Sequence, residues 1–119
     1  MENNTSGHDN VAEGFEALAN NKTGSLNIAL GSNAGMNLTT GSNNIEIGAP
    51  GVAGEANTIR IGKSGTQQKT FIAGISGKTV PMGAGVLINS NGQLGTVVSS
   101  ARFKEAIMPM GKASETILR

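Results

Sequence analysis

The sequence predicts a mainly β protein whose short strands stack in parallel, one chain repeat upon the next, followed by a hairpin neck and a short C-terminal helix. Three observations carry this expectation. A motif of 17 residues recurs along the first half of the chain, apolar residues within each copy alternate at a spacing of two, and glycine accounts for 18 of 119 residues. That glycine content is about twice the usual 7% and lacks the three-residue period of collagen, so it points to repetitive β structure with many tight turns.

Setting "NVAEGFEALANNKTGSL" (10–26) over "NIALGSNAGMNLTTGSN" (27–43) gives eight identities in 17 positions, among them Asn10/Asn27, Ala12/Ala29, Gly14/Gly31 and Gly24/Gly41. Further copies open at Asn44 ("NIEIG") and Thr58 ("TIRIG"), and a weaker fifth reads "FIAG" from Phe71. The glycines that close these cores, Gly14, Gly31, Gly48, Gly62 and Gly74, are separated by 17, 17, 14 and 12 residues. Each copy is expected to be one coil: a short strand, a glycine free to take positive φ, then an Asn/Ser/Gly-rich turn that brings the chain back.

Within a strand, successive side chains point to opposite faces. Ile28 and Leu30, Ile45 and Ile47, and Ile59 and Ile61 therefore share one face, expected to be the inner one, with Ala29, Glu46 and Arg60 facing outward. Glu46 and Arg60 fall at equivalent positions of adjacent copies, which predicts an outward ion pair worth about 0 to 1 kcal/mol.

After the copies the texture changes. "GISGKTVPMGAG" (74–85) reads as a connector punctuated by Gly and Pro81. "VLINSNGQLGTVV" (86–98) places Asn91-Gly92 between two apolar runs, the strongest short-range hairpin signal. In "ARFKEAIM" Phe103 and Ile107 stand four apart and predict a helix, interrupted at Pro109 and Gly111. The expected organisation is a repeat segment over 1–80, a connector and hairpin neck over 81–98, and a separate C-terminal piece over 99–119.

Composition narrows the function. Only 37% of residues are hydrophobic and only Phe15, Phe71 and Phe103 are aromatic, so a large private core is not expected and a partner must supply buried surface. The formal charge of +1, with both signs scattered, offers no basic stripe for nucleic acid. No apolar run approaches the roughly 18 residues of a membrane span, and the N-terminus lacks the basic and apolar regions of a signal peptide. No cofactor is implied: the phosphate-loop pattern is absent and "IGKSG" lacks its first glycine. No metal is implied either, since His8 beside Asp9 has no second ligand at metal spacing.

One stretch carries candidate chemistry. A serine becomes a nucleophile when a base takes its proton, and a lysine with a lowered pKa serves as that base. Ser100 and Lys104 share a helical face at i, i+4, whereas Ser99 meets Lys104 if the helix starts after the serine. Both candidates stand, as does the reading in which either serine is a helix cap and Lys104 is solvated.

Residues 10–75, with "NxAxGxxA", "TGSxNIALGxxAG" and repeated "I-x-I-G", resemble the left-handed parallel β-roll of trimeric adhesin heads and of fibre proteins from phages and bacteria. The resemblance implies a homotrimer, and with it a structural segment of a phage tail fibre or bacterial surface fibre, located on the virion or the cell surface. The alternative is an adhesin head that binds glycan or matrix protein, and contacts to cell-surface glycan or other fibre proteins belong to that picture. The absence of Trp and Tyr leaves little to stack on a sugar. A left-handed β-helix acyltransferase would show a strict six-residue period and a catalytic His; the steps here are 17, 14 and 12, with His8 outside the coils.

"SSARFKEAIMPMG" resembles the opening of the endosialidase-type intramolecular chaperone, a self-cleaving C-terminal module of phage tail spikes and fibres. The resemblance assigns Ser99 as nucleophile, Lys104 as base and Arg102 as the supporting arginine, with Ser100 standing where Asp is usual. It implies at most a single turnover, in which the Ser99 hydroxyl attacks the Val98 carbonyl and the chain parts between Val98 and Ser99. Such attack requires the three groups to be held within about 3 Å, by structure that members of the family carry beyond this length. The 119-residue chain is therefore expected to stay intact by mass spectrometry. Extended with a complete chaperone it should cleave, and Ser99→Ala or Lys104→Ala should abolish cleavage while Ser100→Ala does not.

Overall fold

A computed structural model describes residues 1–97 of the chain. These residues are mainly β and contain no helix, and they fall into two compact units, Met1–Phe71 and a second that begins at Ile72. The helix expected near residues 101–108 lies outside the described residues.

The first unit is built on four three-residue strands: β1 (Val11–Glu13), β2 (Ile28–Leu30), β3 (Ile45–Ile47) and β4 (Ile59–Ile61). They form one parallel sheet in chain order. The register follows the sequence repeat: Val11 pairs with Ile28, Ile28 with Ile45 and Ile45 with Ile59. A three-residue strand provides too few ladder bonds to hold its neighbour, and the shortfall is met by backbone bonds between successive connections, such as Leu18 N–H to Ala34 O at 3.0 Å and Lys22 N–H to Thr39 O at 2.8 Å, and by side chains.

Asparagine supplies most of them. Asn10 Nδ2 donates to the Gly24 carbonyl at 2.9 Å while its Oδ1 accepts from the Asn27 backbone N–H at 2.9 Å. Asn27 repeats the arrangement with Gly41 O and Asn44 N–H, and Asn44 repeats it with Glu55 O and Thr58 N–H. Asn27 and Asn44 are fully buried. Each amide thus ties its own strand start to the next one, using both its donor and its acceptor. A second row runs through serine, with Ser25 Oγ accepting from His8 N–H and Ser42 Oγ from Ser25 N–H. Gly24 and Gly41 lie so close to the next layer's carbonyls, those of Gly41 and Glu55, that a Cβ would overlap them.

The residue before each clamp, and before Thr58 at the equivalent position, turns the corner in the left-handed region: Asp9 (φ 57°), Leu26 (60°), Asn43 (63°) and Asn57 (58°). Asn and Asp tolerate this conformation through local hydrogen bonds, whereas Leu adopts it at a cost.

The facing of the strands reverses the expectation. Ala29 and Glu46 are buried, while Ile28, Leu30 and Ile47 are each 37–38% exposed. The interior is narrow and is filled by the connections: Ala17, Leu18, Ala34 and Leu38 pack with Ala29 into one cluster. Leu18 fills the space above Gly35, where a Cβ would come within 2.8 Å of its Cδ2. Only the central strand residue points into this space, so the bulky pair on either side faces out.

The fifth copy, "FIAG", does not extend the sheet. Phe71 and Ile72 are exposed and belong to no strand. Two features account for this. The 12 residues from Gly62 to Gly74 are fewer than the 14 used between Gly48 and Gly62. Thr58 also replaces the clamping asparagine, and its hydroxyl donates within its own turn, to Ala56 O at 2.9 Å.

In the second unit, β5 (Leu87–Ile88) and β6 (Leu94–Gly95) form the antiparallel hairpin that Asn91-Gly92 signalled. Gly92 has φ 86°, and Asn89 Oδ1 accepts from both Asn91 N–H and Gln93 N–H, closing the turn.

Asn27→Ala should strip the Asn44 N–H and the Gly41 carbonyl of buried partners, at about 1 to 3 kcal/mol each. The melting temperature should fall well below that of Asn20→Ala, whose exposed amide makes one backbone bond to Met36 O; equal losses would mean that the buried row does not hold the layers. Leu26→Asn should raise the melting temperature, by relief of up to about 1 kcal/mol of left-handed strain.

Candidate functional site

Val98, Ser99, Arg102 and Lys104 lie outside the described residues. His8 Nδ1 stands 2.9 Å from Asp9 Oδ2 with both side chains more than two-thirds exposed, and among the described residues no group of three or more His, Cys, Asp or Glu is placed to hold a metal. Among the same residues no helix is long and apolar enough to cross a membrane.

The unusual chemistry of the described chain gathers instead at the β3–β4 end of the sheet. The central strand positions of β2, β3 and β4 read Ala29, Glu46 and Arg60, and β3 and β4 pair so that Glu46 is directly beside Arg60. The expected outward Glu46–Arg60 ion pair does not form. Glu46 points into the interior and is fully buried, whereas Arg60 reaches Glu55 in the shortened connection. Arg60 Nε donates to both carboxylate oxygens of Glu55 at 3.0 Å, and its Nη2 lies 2.9 Å from Oε1. Glu55 Oε2 also accepts from Val52 N–H at 3.2 Å.

This arrangement follows from the connection between Gly48 and Thr58, which is three residues shorter than the one before it, 10 against the 13 from Gly31 to Asn44. The clamp that takes the Gly41 carbonyl in the preceding layer takes the Glu55 carbonyl here. A carboxylate thereby replaces a glycine, at the mouth of the narrow interior. Glu55 closes the short loop through Val52 and faces the side chain of Glu46.

The two carboxyls are unequally charged. Burial, reinforced by the neighbouring Glu55 carboxylate, pushes Glu46 up from 4.5 to about 8 despite the opposing charge of Arg60. Burial also works to raise Glu55, but hydrogen bonds from Arg60, Glu46 and the Val52 backbone outweigh it and hold that carboxyl below its ordinary value. Gly51 leaves the space that Glu46 occupies, since a Cβ there would stand 3.2 Å from Glu46 Oε2. Neither carboxylate oxygen of Glu46 has a protein donor within bonding distance.

A shallow groove of about 510 Å³ runs beside Asn20, Lys22, Asn37 and Thr39. The amide nitrogens of Asn20 and Asn37 are already bonded to the Met36 and Gly51 carbonyls.

No protein-family model, no curated protein and no solved structure matches the chain.

Sequence reasoning paired Glu46 with Arg60 in register but put Glu46 on the wrong face, and it passed over Glu55. The signal lay in the same row of the repeat: a position held by alanine at 12 and 29 is one with little room, as an interior position has. The asparagine row is equally legible as an identity at Asn10 and Asn27 continued at Asn44, but an identity alone does not show that the amides bridge layers.

Proposed function

We propose that the repeat segment is a structural rod: a left-handed parallel β-roll in a homotrimeric fibre, such as a phage tail fibre or a bacterial surface fibre. The observation that carries this reading is the balance of apolar surface. The fully buried large apolar side chains of the first unit are Leu18 and Leu38, while Val11, Ile28, Leu30, Ile47, Ile59 and Ile61 stand exposed on the strands at 37–71%. The pairing register aligns these residues in two apolar rows along the sheet.

Covering one such side chain is worth about 1.5 to 3 kcal/mol, so two rows supply more driving force than the narrow interior does. A second copy of the same chain is the natural cover, because identical rows repeat with identical spacing along a common axis. The clamped layers suit a stiff element.

In this reading residues 99–119 are the opening of a self-cleaving assembly chaperone, with Ser99, Lys104 and Arg102 in the roles the sequence resemblance gives them. The adhesin alternative would place a glycan on the polar groove at Asn20, Lys22, Asn37 and Thr39. Asn20 and Asn37 each commit one N–H to the backbone, and the lining of the groove holds no aromatic side chain on which a sugar could stack.

Light scattering on the native protein should give the mass of three chains, and a folded, monodisperse single chain would overturn the proposal. Ile47→Asp should shift the mass to one chain while preserving the β circular-dichroism signal, because Ile47 faces outward. An Ile47→Asp protein that keeps the native mass would show that these rows do not join the chains.

A further inference from the structure

We propose that the folded chain carries Glu46 as the neutral acid, donating its proton to Glu55, so that β4 is held on the sheet by a proton-linked latch formed by Glu46, Glu55 and Arg60. The argument begins with donors and acceptors. A carboxylate accepts hydrogen bonds and donates none. Glu46 is fully buried, and no protein donor reaches either of its oxygens. The polar group within its reach is the Glu55 carboxyl, itself an acceptor already engaged by Arg60 and by Val52 N–H.

Two acceptors cannot bond unless one of them holds a proton, and a bare carboxylate in an interior lined by Leu38 and Gly51 would be stripped of water without compensation. Glu55 is the poorer host for that proton, because the bidentate contact with Arg60 stabilises its charge. The proton therefore resides on Glu46, and the chain of contacts runs from the interior acid through Glu55 to the guanidinium on β4.

The charged groups that face Glu46 come from two elements. The Gly48–Thr58 connection presents Glu55 and β4 presents Arg60, while β2 presents only Ala29. Loss of the proton to solvent places two carboxylates against one arginine. The repulsion falls on the contact that joins the last connection and β4 to the rest, where the asparagine clamps end at Thr58. Such a terminal layer is the part of a repeat array whose opening leaves the other layers intact.

The raised value of about 8 for Glu46, against 4.5 in an exposed chain, sets the window. A group whose folded value is raised contributes stability that is complete below the unfolded value and is lost as pH rises through the folded one. The latch is thus closed near pH 5 and progressively lost toward pH 9. Glu55, shifted the other way, contributes stability that is lost only as the pH falls below the ordinary carboxylate range. The latch lies within one chain and stands whether or not chains associate.

Two measurements on the full chain test it. With Glu residues ¹³C-labelled at the carboxyl carbon, one resonance should titrate with a midpoint near 8 and vanish from the spectrum in Glu46→Gln; if every glutamate titrates below about 6, the proposal is overturned. In native hydrogen exchange corrected for intrinsic rates, protection of the β4 amides should fall tenfold or more between pH 5 and pH 9, while β2 amides stay constant. Glu46→Gln, which places a permanent donor beside Glu55, should keep β4 protection independent of pH. A β4 segment insensitive to pH in the parent chain, or a pH response that survives in Glu46→Gln, would refute the latch. Should Glu46→Gln not fold, the carboxyl titration of the parent decides alone.

Discussion

The side-chain amide that joins one layer to the next is the interaction on which the rest of the structure depends. Three-residue strands give few ladder bonds, and an isolated repeat has almost no interior, so nothing local would hold the chain in this shape. Asn10, Asn27 and Asn44 solve the problem by donating to one backbone group of the following layer and accepting from another. The burial of Asn27 and Asn44 removes competing water, which makes each of their bonds costly to lose. Because every clamp needs the next layer in place, no single layer is stable by itself.

From that constraint follow the composition and the period. The layers must approach closely enough for an amide to span them, which admits only glycine at positions such as Gly24 and Gly41 and only small residues at Ala17, Ala29 and Ala34. Leucine enters the interior where the layer beside it has a glycine, as with Leu18 over Gly35. The bulky β-branched residues have no room inside and are turned out, which leaves a modest interior and a conspicuous apolar exterior. The proposal of a trimeric rod rests on that inversion.

The end of the stack is built differently from its middle. The last connection loses three residues, the clamp gives way to Thr58, and an acid and a base replace alanine in the central row. A charged residue on an edge strand discourages another strand from adding to it, and Arg60 is that residue on β4. The same charges leave Glu46 in a site where only a proton, or a permanent donor, satisfies it. Stopping the stack and sensing the pH are thus two consequences of one arrangement.

Much of this was legible in the sequence. The strand positions, their pairing register and the Asn91-Gly92 hairpin all follow from local periodicity and turn chemistry, which act within a few residues. Alternation at a spacing of two put Ile28 and Leu30 on one face and Ala29 on the other, because it reflects backbone geometry alone. It could not say which face was inside. That was decided by the width of the interior, and the width is set by Leu18 and Leu38 of the connections packing across layers. Only the assembled stack likewise decided that Glu55, 14 residues after Gly41, would stand at the mouth of the interior beside Glu46 and take Arg60 from it. Local pattern determines which residues share a strand and a face; the meeting of residues from different layers, and the charge each can bear there, depends on space and solvent that no single repeat contains.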